Sequence, residues 1–190
     1  MVFHYFSNYC IEYTALSVDR GSINSFFQNM PIAIVDNQSI LSLDLSAIAK
    51  PIESWLATTP NQCDLALRFD IQFDRDESDP RELSEIPEVR LWFIRLDARY
   101  PYLPLLLDWQ EGELARYVAM LVPHQFSQRD GIQYNPEALE IWVMQRVFLL
   151  TDWLKNQTIS DTSKLKFMTQ MLGYELDDGL FELLAAVTSG

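Results

Sequence analysis

Asn135-Pro136-Glu137 constrains the fold of this chain more than any other stretch. An asparagine able to cap free backbone amides, a proline at the first helical position and an acid facing the positive helix end together mark the start of a helix. Leu139, Trp142, Val143, Val147, Leu150 and Leu154 then recur at helical spacing, which predicts a helix to about Lys155 with that stripe buried.

The remaining elements are read the same way. Asp19 offers an N-cap to a short helix through Phe26 and Phe27 that closes before Pro31, and residues 9–18 alternate weakly as a strand would. Ile32 to Val35 reads as a short buried strand. Ser46 caps a helix to about Ala57, with Ile48, Ile52, Trp55 and Leu56 on one face and Pro51 near its first turn. From Leu65 to Phe73 apolar and polar residues alternate with period two, the clearest strand pattern in the chain. Ser84 and Pro87 open a helix that turns Val89, Trp92, Phe93 and Leu96 inward and ends before Pro101, with Arg95 and Arg99 on its polar side.

Leu103 to Trp109 and Leu114 to Val122 read as two strands joined by a Gln110-Glu111-Gly112 turn, which places Trp109 at a hairpin tip. Gly131 marks a further turn. A short helix over residues 163–172 ends at Gly173, and Asp177 or Asp178 opens a last one through Phe181, Leu184 and Val187. This order predicts an α+β fold, a largely antiparallel sheet with helices packed on one face, in a single domain over residues 1–190.

Charge narrows the function classes. With 14 Lys and Arg against 27 Asp and Glu, the chain carries a formal charge of -13. A field of that sign repels nucleic-acid backbones and anionic lipid surfaces, so neither is an expected partner. Two cysteines, Cys10 and Cys63, are too few for a disulfide scaffold and fit a reducing compartment. No secretory signal and no run of 18 apolar residues occurs, so no membrane insertion and a cytoplasmic location are expected.

No phosphate-binding loop, dinucleotide fingerprint, nucleophile elbow or zinc-protease motif is present, so no catalytic, cofactor-binding or metal residue is predicted. Asp74, Asp76, Ser78, Glu82 and Glu85 fall at the first, third, fifth, ninth and twelfth positions of a calcium loop, but Asp79 stands where the glycine is needed, so the stretch reads as a solvated acidic loop that blunts a strand edge, with calcium binding as the alternative. An enzyme reading survives only as a small metal-dependent hydrolase using acids of 74–85 with His124. His124 and Gln125 sit where a strand is expected to give way to a loop. Arg90, Arg95, Arg99 and Arg116 stand out in an acidic chain, either holding an acidic partner or pairing internally with Glu85, Glu88, Asp97 or Asp108. Arg95, Arg99, Trp109, Arg116, His124 and Gln125 are therefore the candidate partner-binding residues, Trp109 as an exposed aromatic beside charges.

Three strings, EIPEVRLWFIRLDARYPYLPLLLDW, GELARYVAMLVPHQF and YNPEALEIWVMQRVFLLTDWL, lie in a block over about residues 79–154 that resembles the Crr6 family, the chlororespiratory-reduction proteins of cyanobacteria and plastids. The resemblance implies a soluble, non-catalytic factor that matures or installs NdhI, the ferredoxin-like iron–sulfur subunit of the photosynthetic NADH dehydrogenase-like complex. It implies protein handling, with no cofactor, since two cysteines cannot hold a four-cysteine cluster. Plastid members carry a transit peptide, and this sequence begins almost directly with the predicted domain, so a bacterial, cytoplasmic setting is the expectation. The resemblance supplies no functional residues.

Overall fold

The computed structural model describes residues 31–58 and 66–187. Strand β1 (Ile32–Asp36) lies parallel to β2 (Arg68–Gln72), in register from Ile32 opposite Arg68 to Asp36 opposite Gln72. Parallel neighbours need a crossover, and α1 (Asn37–Ser42) and α2 (Ser46–Thr58) lie between them in sequence. The Asp36 carboxylate ends β1 and starts α1 by accepting the Ser39 N–H at 2.8 Å. Asp44, rather than Ser46 itself, receives the first amide of α2, and Pro51 lies inside that helix, further in than predicted. β1 is buried only through Ala33 and Val35, so it is half-covered rather than fully buried.

The next segments correct the sequence reading most. Residues 103–106 form a 3₁₀ turn and Glu113–Leu121 forms a helix, α4, where two strands were expected. Leu114, Tyr117 and Val118 are buried, the i, i+3, i+4 spacing of a helix face, while Arg116, on the would-be strand face, points to solvent. Leu103 to Leu106 are all buried and so show no alternation. Gly112, at φ +77°, is the N-cap of α4 and not a hairpin turn. One residue of this run still joins the sheet: Leu107 bridges Leu67 in parallel, the Leu67 amide donating to the Leu106 carbonyl at 2.7 Å.

Helix α3 (Pro87–Arg99) buries the four residues predicted for it, although Ile86 and not Ser84 is its N-cap. After α4 comes a hairpin, β3 (His124–Ser127) against β4 (Gly131–Tyr134), which turns at Gly131 as expected; His124 and Gln125 begin a strand instead of following one. Helix α5 (Pro136–Asn156) starts on the Asn135 side chain, which accepts the Ala138 amide at 3.2 Å, and buries the whole predicted stripe plus Arg146. Helices α6 (Ser163–Met171) and α7 (Asp178–Val187) follow, with Gly173 at φ +90° between them.

The mixed helix-and-strand class holds, but among the described residues the sheets are two separate pairs, one parallel and one antiparallel, not a largely antiparallel sheet. The strand predicted from Leu65 to Phe73 is β2, five residues long. The helix at Asp19, the strand at 9–18, Cys10 and Cys63 lie outside the described residues. An aromatic run ties the elements together: Phe69 of β2 meets Phe93 of α3 at 5.3 Å between ring centres, Phe93 meets Tyr117 of α4 at 6.0 Å, and Tyr117 meets Trp142 of α5 at 6.4 Å. Such edge-on contacts add to the area buried and hold these elements in one geometry. Among the described residues, no helix is long and apolar enough to cross a membrane.

Candidate partner-binding surface

The acidic stretch after β2 folds back on its own backbone. Asp76 accepts the Ser78 amide at 2.8 Å and the Ser78 hydroxyl at 2.6 Å. Asp79 accepts the Arg81 amide at 3.1 Å and the Arg81 guanidinium at 2.7 Å, and the Arg81 side-chain hydrogen bonds, more than the backbone one, pull its carboxyl down to about 2. Glu82 and Glu85 form a capping box around the 3₁₀ turn Leu83–Glu85, the Glu82 amide donating to Glu85 at 2.8 Å. The carboxylates are thereby turned to their own loop instead of converging on a point. Among the described residues, no group of three or more His, Cys, Asp or Glu side chains is arranged to hold a metal ion.

The turn at 80–86 is held against the rest of the fold by Arg90, whose guanidinium donates to the Ser84 carbonyl at 2.6 Å and the Ala119 carbonyl at 3.1 Å. Two depressions flank it. The first, about 180 Å³, runs from Phe69 and Ile71 past Leu83 to Glu113, Arg116 and Met120. Glu113 is buried there, and burial pushes its carboxyl up from the ordinary range against the opposing pull of Arg116 and the Phe69 backbone N–H.

The second depression, about 400 Å³, has Pro80, Arg81, Glu82 and Glu85 on one wall and His124, Phe126 and Ile132 on the other. The strand register explains the second wall. His124 is opposite Tyr134 and Phe126 opposite Ile132, so these four side chains share one face of the hairpin while Gln125 and Gln133 occupy the other. The inner end of that face is anchored: the Tyr134 hydroxyl donates to the Ala115 carbonyl at 2.8 Å, and His124 Nε2 lies 3.5 Å from the Ser84 hydroxyl. The outer end is open, with Phe126 73% exposed. His124 Nδ1 is buried with no hydrogen-bond partner among the described residues.

The six predicted partner-binding residues do not converge. Arg116 and His124 line the two depressions on either side of the same turn. Gln125 is exposed on the opposite face of the hairpin, and Arg95 and Arg99 are exposed on α3, outside both depressions. Trp109 is not at a hairpin tip: it is half-buried, stacks on Phe167 at 5.4 Å and donates its indole N–H to the Pro104 carbonyl at 2.9 Å. The predicted internal ion pairs are also redistributed. Asp97 pairs with Arg146 and Asp108 with Arg68, while Arg116 pairs with Glu113. Phe126 and Ile132 were missed, although their places on either side of Gly131 carried the signal. Arg146 was missed although it falls between Val143 and Leu150 on the predicted stripe.

No solved structure matches the chain. The family model described as Chlororespiratory reduction 6 matches residues 35–183, which runs from the last two residues of β1 through β2, α1 to α6, the acidic turn and the hairpin. On that match over most of its length, the chain belongs to the Chlororespiratory reduction 6 (Crr6) family.

Proposed function

We propose that this protein is a non-catalytic assembly factor that binds the NdhI subunit while the NADH dehydrogenase-like complex is built. The family match is the observation that carries the reading, since membership gives the chain a role in chlororespiratory reduction and in assembly of that complex. The surface around the 80–86 turn supports it physically. It offers concave apolar area edged by charge, with its acids engaged in shaping the loop, which suits contact with another protein better than bond chemistry. The formal charge of -13 steers partners of basic character. Arg116 and His124 contribute to this surface directly, and Arg95, Arg99 and Gln125 are exposed for further contacts.

Affinity purification of a tagged copy from an extract containing the complex tests the reading. NdhI is expected to co-purify, and less of it as ionic strength rises past the range where exposed charges are screened. Absence of NdhI from the eluate, together with unchanged complex assembly when the gene is deleted, would overturn it.

A further inference from the structure

The hairpin is amphipathic and only half of its apolar face is covered. At the inner end Tyr134 and His124 are tied to α4 and the 3₁₀ turn; at the outer end Phe126 and Ile132 stand opposite one another with Phe126 73% exposed. Across the groove the wall is acidic. Arg81 lines that wall and is engaged by Asp79 through both its guanidinium and its amide, and the Arg75 guanidinium lies behind it on the Arg81 carbonyl. Glu82 and Glu85 each accept a backbone amide of the turn and form no ion pair among the described residues; Glu85 is exposed and Glu82 half-exposed, so both keep an uncompensated charge at the edge of the groove. Asp74, Asp76 and Glu77 extend the same exposed stretch, three acids to one cation, since Arg75 lies among them and donates to the Arg81 carbonyl.

We infer that the groove between the hairpin and the 80–85 turn takes a basic peptide segment with one aromatic or large aliphatic side chain flanked by lysine or arginine. The apolar side chain sits against Phe126, Ile132 and Pro80, and the flanking cations meet Glu82 and Glu85. Both halves of the recognition are needed. An apolar anchor without charge gains only the area it buries, and cations without an anchor meet exposed carboxylates, where a pair is worth little. The inference rests on the reading of the chain as a factor that grips a client protein, and it assigns the chemistry of the segment that is gripped.

The probe is a fluorescein-labelled pentapeptide amide with tryptophan between two lysines and two arginines, followed by fluorescence anisotropy on the full chain. Saturable binding is expected that weakens at least about fivefold when the central residue is alanine, or when the protein carries Phe126→Ser. The Glu82→Gln/Glu85→Gln variant keeps the amide acceptors of the capping box, yet it is expected to weaken binding about as much and to flatten its salt dependence. The corresponding glutamate-flanked peptide is expected not to bind. Binding that ignores all these changes, no binding up to about 1 mM, preference for the acidic peptide, or a groove closed by self-association that Phe126→Ser abolishes would each overturn the assignment. Capture of NdhI by the same variants separates the two claims. Retention of NdhI by variants that have lost the peptide overturns the groove as the client site while the client reading stands; peptide binding as expected without any NdhI capture leaves the groove and removes the client.

Discussion

The guanidinium of Arg146 meets the carboxylate of Asp97, 49 residues earlier in the chain, and both are withdrawn from water, their side chains 4% and 15% exposed. Arg146 also donates to the Pro101 carbonyl at 3.1 Å, and the Tyr117 hydroxyl donates to the other oxygen of Asp97. Three helices, α3, α4 and α5, are thus pinned at one polar point inside the aromatic core. Removing one partner strands a buried charge, whereas replacing the pair does not.

Arg146→Met alone is therefore expected to cost about 3–5 kcal/mol of unfolding free energy, and Asp97→Leu a similar amount. The double replacement recovers most of that loss, because no uncompensated charge remains. Urea unfolding of the two single variants and the double one measures it. Additive losses would mean that the pair acts as independent contacts.

Asp79 supplies a titration that reads out one contact. Its folded carboxyl is pulled from 3.8 to about 2 by the Arg81 side chain, then by the Arg81 amide. A depressed acid contributes stability above its unfolded value and loses that contribution as pH falls from 3.8 toward 2. Carbon-13 detected titration of the Asp79 carboxyl is expected to give a midpoint near 2, moving up in Arg81→Ala. A midpoint unmoved by that substitution would place the cause elsewhere.

Which parts of this fold were legible follows from how local their causes are. Asn135, Pro136 and the stripe from Leu139 to Leu154 act within one helix, and they specified α5 without reference to anything else. The four buried residues of α3 were readable for the same reason. Residues 114–122 were ambiguous because Leu114 and Val118 satisfy both periods, with Tyr117 arguing for the helix and Met120 for the strand. Tertiary contact decided between them: the Leu67–Leu107 bridge ends extended structure at Leu107, and the Glu113 amide donates to the Asp108 carbonyl at 2.9 Å as the chain turns into α4. The site was legible only in pieces. His124 and Arg116 stand out as polar residues in an apolar block, but what faces them, Pro80 and Glu82 across from His124 and Leu83 beside Arg116, comes from a segment about 40 residues away that reads only as a solvated acidic loop until its partners are seen.

Gly112 carries the consequence of that ambiguity. At φ +77° it caps α4 with its carbonyl, which accepts the Arg116 amide at 3.0 Å, and a Cβ there would meet nothing within 4 Å. The penalty for a side chain is thus conformational and not steric crowding. Gly112→Ala is expected to lower stability by about 1–2 kcal/mol and Gly112→Asn by less, since asparagine tolerates the left-handed region. Thermal melts of the two variants give the order; equal melting temperatures for glycine and alanine would contradict it.

Glu113, one residue on, gives the opposite pH signature to Asp79. It is 3% exposed, and burial holds its carboxyl above 4.5 in spite of Arg116 and the Phe69 amide. An acid whose folded value is raised contributes stability that is present below its unfolded value and is lost as pH rises through the folded one. Glu113→Gln keeps an oxygen for the Phe69 N–H and removes the titration. The variant is therefore expected to gain on the wild type as pH rises from 4.5 upward, with the change complete once the native carboxyl is fully ionised. Urea midpoints of both proteins between about pH 4 and 8 measure the difference. A gap that stays constant over that range would show that Glu113 titrates alike in the folded and unfolded chain, and that its burial beside β2 leaves its charge as well solvated as in water.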